Sequence, residues 1–96
     1  MRYRLSRKAE ADIIDIAETG IRNWGLRQAR TYHDGLFELF ELIASTPEMA
    51  RERDELIPPM RVQRFRAHLI VYRIEDNEVL IVRIRHSRED WQSASR

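Results

Sequence analysis

The 96-residue chain is long enough for one hydrophobic core and too short for two, so we expect residues 1–96 to form a single domain. Charged residues make up 34% of the chain, yet the formal net charge is only +1, which argues against a protein whose whole surface binds nucleic acid. The absence of cysteine excludes disulfides, thiol catalysis and cysteine-based zinc sites. No apolar run approaches the ~20 residues that span a bilayer, and the first ten residues lack the apolar stretch of a signal peptide. We therefore expect a cytoplasmic protein without a membrane partner.

The first half of the chain predicts a short strand and two helices. Residues 2–5 alternate in polarity, which indicates a strand, and Ser6 is a favourable helix N-cap. Gly25 suits the residue just past a helix end. The apolar residues between them recur at helical spacing, namely Ala9, Ile13, Ile16, Ala17 and Trp24. A second stripe predicts a helix from Leu26 to Ala44 that ends before Pro47, so the two helices form an antiparallel hairpin.

The second half predicts a loop and three strands. The pattern is lost from Glu48 to Pro59, and the predicted strands then run over 60–65, 68–74 and 78–85, with a hairpin turn at 76–77. Strict alternation in the last strand sets Leu80, Val82 and Ile84 on one face and Val79, Ile81, Arg83 and Arg85 on the other. The fold class is therefore α+β in the order β-α-α-β-β-β, with a helical hairpin on a small antiparallel sheet. The N-terminal strand must join that sheet at an edge or beside the last strand.

Several short pieces of this sequence, in this order, resemble the ParE branch of the RelE/ParE toxin superfamily. The pieces span nearly the whole chain: Leu5-Ser6, Ala9, Asp12-Ile13, Trp24-Gly25, Gln28-Ala29, Tyr32, the run Arg51 to Leu56, His68, Ile70 with Tyr72, and the run His86 to Asp90. The resemblance implies a toxin that is encoded with a ParD-like antitoxin, which wraps and blocks it. It further implies inhibition of DNA gyrase by binding, without catalysis by the toxin itself.

The RelE-type relatives are instead ribosome-dependent mRNA endonucleases, and fold alone does not separate the two activities. RNA cleavage requires groups that activate the 2′-hydroxyl, stabilise the phosphorane and protonate the leaving oxygen. This chain has one lysine, Lys8, and no tyrosine after Tyr72, so a lysine-rich active site is absent. A variant site built from His86, Glu55 and an arginine such as Arg61 is the alternative that stays open, against a structural or target-binding role for His86.

The end of the last strand is the predicted target-binding surface. It comprises Arg83, Arg85, His86, Arg88 and Trp91. Arginines can meet phosphates or an acidic protein surface, and an exposed tryptophan beside arginine is a frequent interface anchor. The alternative is a solvated strand face that discourages edge pairing.

Apolar residues at the margins of the helical stripes predict an antitoxin-binding groove. These are Ile14, Ile21 and Phe37, and Leu69 and Val71 form a second candidate surface on the sheet. A family member that binds its antitoxin and harms nothing is a third possibility. The three histidines show no metal-ligand spacing and no glycine-rich phosphate loop is present, so we expect no metal, no cofactor and no sequence-specific binding of nucleic acid.

Overall fold

The computed structural model describes residues 1–88. In chain order the elements are β1 (Tyr3–Leu5), α1 (Arg7–Trp24), α2 (Leu26–Ser45), a 3₁₀ turn (Pro47–Met49), β2 (Glu52–Arg53), β3 (Met60–Phe65), β4 (His68–Glu75) and β5 (Glu78–His86). The strands form one sheet in the order β1-β5-β4-β3-β2. The predicted α+β fold class is confirmed.

Two features of the sheet go beyond the sequence pattern. β1 lies at the edge beside β5, as one of the two expected positions allowed, but it runs parallel to β5, with Leu5 opposite Ile81. All other neighbouring strands are antiparallel. The two-residue strand β2 was not predicted because it is too short to show an alternating pattern.

The helical hairpin begins and turns where the local chemistry predicts. The Ser6 hydroxyl accepts a hydrogen bond from the Ala9 N–H at 2.9 Å, which caps α1. Gly25 separates the helices and has a φ of 89°, a backbone conformation that residues other than glycine rarely adopt. Within the hairpin a Cβ on Gly20 would lie 3.4 Å from Ala29 Cβ, so the helices approach closely there.

The main core lies between the hairpin and one face of the sheet. Its central members are almost fully buried: Leu36, Phe40, Ile43, Ile70, Tyr72, Val79 and Ile81. The Tyr72 hydroxyl donates to the Pro47 carbonyl at 2.7 Å and so ties the loop after α2 to the core. A smaller apolar cluster comprises Leu56, Met60, Val62 and Val71.

A β-bulge in β5 corrects the predicted alternation of that strand. Val71 pairs with Arg83 whereas the next residue of β4, Tyr72, pairs with Ile81, so Val82 is the extra residue. Because of this insertion Ile84 joins Val79 and Ile81 in the main core, while Val82 packs against the smaller cluster. The prediction that Ile84 shares a face with Leu80 and Val82 was therefore wrong.

Beyond the end of β1, Ser6 and Asp12 form hydrogen bonds with the outer edge of β5. The Ser6 N–H donates to the Ile81 carbonyl and the Ser6 hydroxyl donates to the Val82 carbonyl, at 3.0 and 2.7 Å. The Asp12 carboxylate then accepts the Ile84 N–H at 2.9 Å. Backbone groups that a longer β1 would have paired are thus satisfied from the start of α1.

Candidate functional site

A cleft of about 620 Å³ lies between the helical hairpin and the end of β5. Its walls are mostly apolar and come from both helices, with Ile13, Ile16 and Leu36 among them. Its other wall is the C-terminal part of β5 and the turn between β3 and β4. A concave site at the junction of two layers is the usual place for a binding site in a small protein.

Three titratable side chains meet at the sheet wall of this cleft. His68 and His86 face each other across β4 and β5, with ring centroids 5.4 Å apart. The Tyr32 hydroxyl lies 2.6 Å from His68 Nδ1. The Arg88 N–H donates to His86 Nδ1 at 3.1 Å, so the neutral His86 ring carries its proton on Nε2. Burial raises the pKa of Tyr32 above its ordinary value of 10.0, so this hydroxyl is neutral and able to donate at physiological pH.

The sequence predicts His68 as a strand residue and Tyr32 as a core residue on the apolar stripe of the second helix, with no functional role for either. Counting outward from the turn at 76–77 places His68 opposite Arg85, and only the bulge at Val82 moves it opposite His86. The cluster therefore depends on a one-residue irregularity that has no pattern of its own.

The predicted target-binding residues occupy different environments. Arg83 forms a two-pronged ion pair with Asp12, through Nε at 2.9 Å and Nη2 at 3.0 Å, and its side chain is 29% exposed. Arg85 is half-buried and lines the cleft, whereas Arg88 is exposed. Trp91 lies outside the described residues. Arg83 thus has a clear structural partner, which sequence reasoning missed because Asp12 is 71 residues away.

The structure separates two of the residues considered for RNA cleavage, Arg61 and His86. Arg61 pairs with Tyr72, which pairs with Ile81, whereas His86 lies five residues further along β5. That separation is about 16 Å along the strand. Arg61 instead donates to the Ala50 carbonyl at 2.6 Å, and Glu55 lies near Arg51, with 3.8 Å between their charged atoms.

The predicted antitoxin-binding residues also divide into two groups. Ile14 and Ile21 are 59% and 45% exposed on α1. Phe37 is half-buried and stacks on His33, with ring centroids 4.5 Å apart. Val71 is only 2% exposed because Leu56 and its neighbours pack on it, and Leu69 is half-buried beside that cluster.

Trp24 is the largest exposed apolar side chain of the hairpin. The helical pattern includes it in the apolar stripe of the first helix, but it is 68% exposed. It is the last residue of α1, and Leu26, the first residue of α2, is 60% exposed. Together with Ile14 and Ile21 these residues form an apolar row on the hairpin, called the hairpin row below.

Charge is separated along the sheet. The turn between β4 and β5 carries Glu75, Asp76 and Glu78. Arg4 and Arg73 neutralise part of that charge through ion pairs, and hydrogen bonding from Arg73 lowers the pKa of Glu75 below its ordinary value. The opposite end of the sheet, called the basic end below, comprises Arg64, Arg66, His68, Arg85, His86 and Arg88. Residues 64–68 and 85–88, which form that end, contain no carboxylate, whereas Asp12 and Asp15 of α1 line the same cleft as Arg85 and His86.

Neither a membrane-spanning helix nor a metal-binding cluster is found in residues 1–88. No helix in that range is long and apolar enough to cross a membrane. Within the same range no group of three or more histidine or acidic side chains is arranged to hold a metal ion.

Comparisons with known proteins agree with this architecture. Residues 3–91 match the family model described as the ParE toxin of the type II toxin–antitoxin system parDE. Toxin ParE1 of Caulobacter vibrioides is 36% identical over 84 residues, covering 88% of this chain and 86% of the relative. Toxin ParE1 of Mycobacterium tuberculosis is 31% identical over 90 residues, covering 93% and 92%.

A solved structure of the chromosomal ParDE system from P. aeruginosa shares the fold. It superposes with a TM-score of 0.75 at 21% identity, covering 90% of this chain and 95% of that chain. The family match and the curated relatives together lead to one conclusion: the chain belongs to the ParE family of toxins of type II toxin–antitoxin systems.

Proposed function

We propose that this toxin inhibits DNA gyrase by binding it and that a ParD-like antitoxin neutralises the toxin. The observation that carries the proposal is the family match over residues 3–91, which spans both the helical hairpin and the basic end. Inhibition by binding requires no catalytic group, so the toxin acts without an enzymatic activity of its own. The separation of Arg61 from His86, about 16 Å along the strand, argues against the RNA-cleaving alternative.

The hairpin row supports the antitoxin part of the proposal. A domain of this size that leaves Ile14, Ile21 and Trp24 exposed gains stability from a partner that covers them. An amphipathic segment with apolar residues at helical spacing fits such a row. Val71 is assigned no part in this surface because it is already buried within the toxin.

The gyrase-binding part is assigned to the C-terminal end of β5 and the residues after it. Arg85, His86, Arg88 and Trp91 remain the proposed contact residues. Arg83 serves this surface indirectly, because its ion pair with Asp12 holds the end of β5 against α1.

The test is a cleavage assay with purified gyrase, ATP and supercoiled plasmid. The antitoxin-free toxin should cause protein-linked linear DNA to accumulate. If a folded toxin leaves the plasmid untouched, the gyrase proposal is wrong, and cleavage of mRNA on the ribosome is then measured as the alternative.

Two variants separate the proposed surfaces. R88A/W91A should produce at least tenfold less linear DNA while its affinity for the antitoxin is unchanged, since contact anchors carry most binding energy. I14E/I21E should bind the antitoxin at least tenfold more weakly and poison gyrase as the parent does. Loss of both activities in either variant would contradict the separation of the surfaces.

A further inference from the structure

The basic end has the charge pattern of a nucleic-acid contact even though the whole chain is nearly neutral. Arg64, Arg66 and Arg88 are exposed, and they lie on three neighbouring strands or the turns that end them. Arg64 is on β3 and Arg88 follows β5, and these two strands are two strand spacings apart, about 10 Å. The basic end contains four arginines. It keeps a positive charge even when the two acidic residues that follow in the sequence, Glu89 and Asp90, are counted against them. We propose that the basic end binds the phosphate backbone of duplex DNA without reading its sequence.

At Arg64 and Arg66, which the gyrase-binding proposal does not use, the surroundings favour nucleic acid over an acidic protein. Protein interfaces gain most of their energy from apolar and aromatic anchors, whereas DNA interfaces are polar and strongly positive. Within residues 1–88 the exposed large apolar side chains lie on the helices, the N-terminus, the loop before β3 and Ile74, and none belongs to the basic end. Guanidinium groups also match phosphate oxygens in a two-pronged geometry.

The same end favours a duplex over a single strand. Binding of unpaired bases relies on exposed aromatic rings on which the bases stack. Of the aromatic rings there, Phe65 is half-buried, packs edge-on against Tyr32 with centroids 5.0 Å apart and lies under the Arg66 guanidinium. The half-buried rings of His68 and His86 pack edge-on against each other with centroids 5.4 Å apart. Among the described residues, this end therefore presents cations that can contact a phosphate backbone and no exposed ring on which a base can stack.

This inference goes beyond gyrase inhibition and is measured without gyrase. Binding of a short fluorescein-labelled duplex to the full toxin, purified free of antitoxin, is followed by fluorescence anisotropy from about 50 to 200 mM salt. Each phosphate contact contributes about 0.9 to the slope of log K against log salt. R64Q/R66Q should therefore bind at least fivefold more weakly and make the slope shallower by about 2.

Matched variants decide whether the position of the charge matters. R2Q/R7Q removes the same charge from two exposed arginines outside the basic end and should bind DNA as the parent does. R64K/R66K should keep the salt slope because counterion release depends on charge. Circular dichroism checks that each variant is folded.

Several results would overturn the inference. These are an equal loss of binding in R2Q/R7Q, tighter binding of a single-stranded RNA of the same length, or binding of polyglutamate but not of the duplex. The two proposals fail separately. A toxin that binds the duplex but yields no linear DNA with gyrase refutes the proposed function alone, and the reverse result refutes the DNA contact alone.

Discussion

Asp12 fastens the end of β5 to α1, and its removal should destabilise the toxin substantially. Its carboxylate accepts three hydrogen bonds, two from the Arg83 guanidinium and one from the Ile84 N–H, all between 2.9 and 3.0 Å. The Asp12 side chain is only 16% exposed, so solvent screens these bonds weakly. In D12A the Ile84 N–H loses this acceptor and Arg83 loses its ion pair with Asp12.

The magnitude follows from these two losses. A hydrogen bond to a charged group contributes about 1.5–3 kcal/mol, and an unsatisfied backbone N–H costs about 1–3 kcal/mol. Because Arg83 is 29% exposed and regains water, we expect D12A to lower the free energy of unfolding by about 2–4 kcal/mol. For a domain of this size that corresponds to a fall in Tm of roughly 10 °C or more. In D12N the amide oxygen can still accept the Ile84 N–H, so the cost should be about half as large.

Urea unfolding followed by circular dichroism measures these differences. D15A is the matched control, because Asp15 is an exposed carboxylate one turn further along α1, and its removal should change stability by less than about 0.5 kcal/mol. A D12A protein within about 0.5 kcal/mol of the parent would refute the reasoning, as would an equal loss in D15A.

Two further predictions concern the hairpin glycines and the tyrosines. G20A should stabilise the toxin by about 0.5–1 kcal/mol in urea unfolding, because the added Cβ makes ordinary contact with Ala29. G35A should not show this gain, because its Cβ would lie 3.1 Å from the Phe65 ring. Equal gains in the two variants would contradict this reasoning. Burial raises the pKa of each tyrosine, so the folded state favours the neutral phenol. Stability should be complete below pH 10 and fall as pH rises from 10 through the folded-state pKa values, and phenolate absorbance with a midpoint at 10 would contradict this for Tyr3, Tyr32 and Tyr72.

Most of the fold could be predicted because its elements have strong local signals. Ser6, Gly25 and Pro47 mark the helix ends, and the turn at 76–77 adopts positive φ at both residues, as a two-residue hairpin requires. The direction of β1 could not be predicted, since three alternating residues suit a parallel or an antiparallel neighbour equally.

The candidate site was harder to predict because it depends on long-range register. The bulge at Val82 decides that His86 faces His68, and no local pattern signals an inserted residue. The exposure of Trp24 was missed for a related reason, since helical periodicity identifies a stripe but not where the packing partner stops. The sequence pattern identified the arginines near the end of the last strand. It could not identify the ion pair of Arg83 with Asp12, because Asp12 lies on α1, far away in the sequence.

The pairing of β1 with β5 has a consequence for the order of events during synthesis. Arg2, at the start of the chain, accepts a bond from the Val79 N–H, so the edge of the sheet closes only after β5 has been made. Contacts this distant in sequence slow folding, because a long loop must be closed before they form. The helical hairpin, built from local contacts, can form first. An antitoxin that recognises the hairpin row would therefore meet its surface on the nascent chain before the basic end exists, and the toxin would be restrained before it is complete.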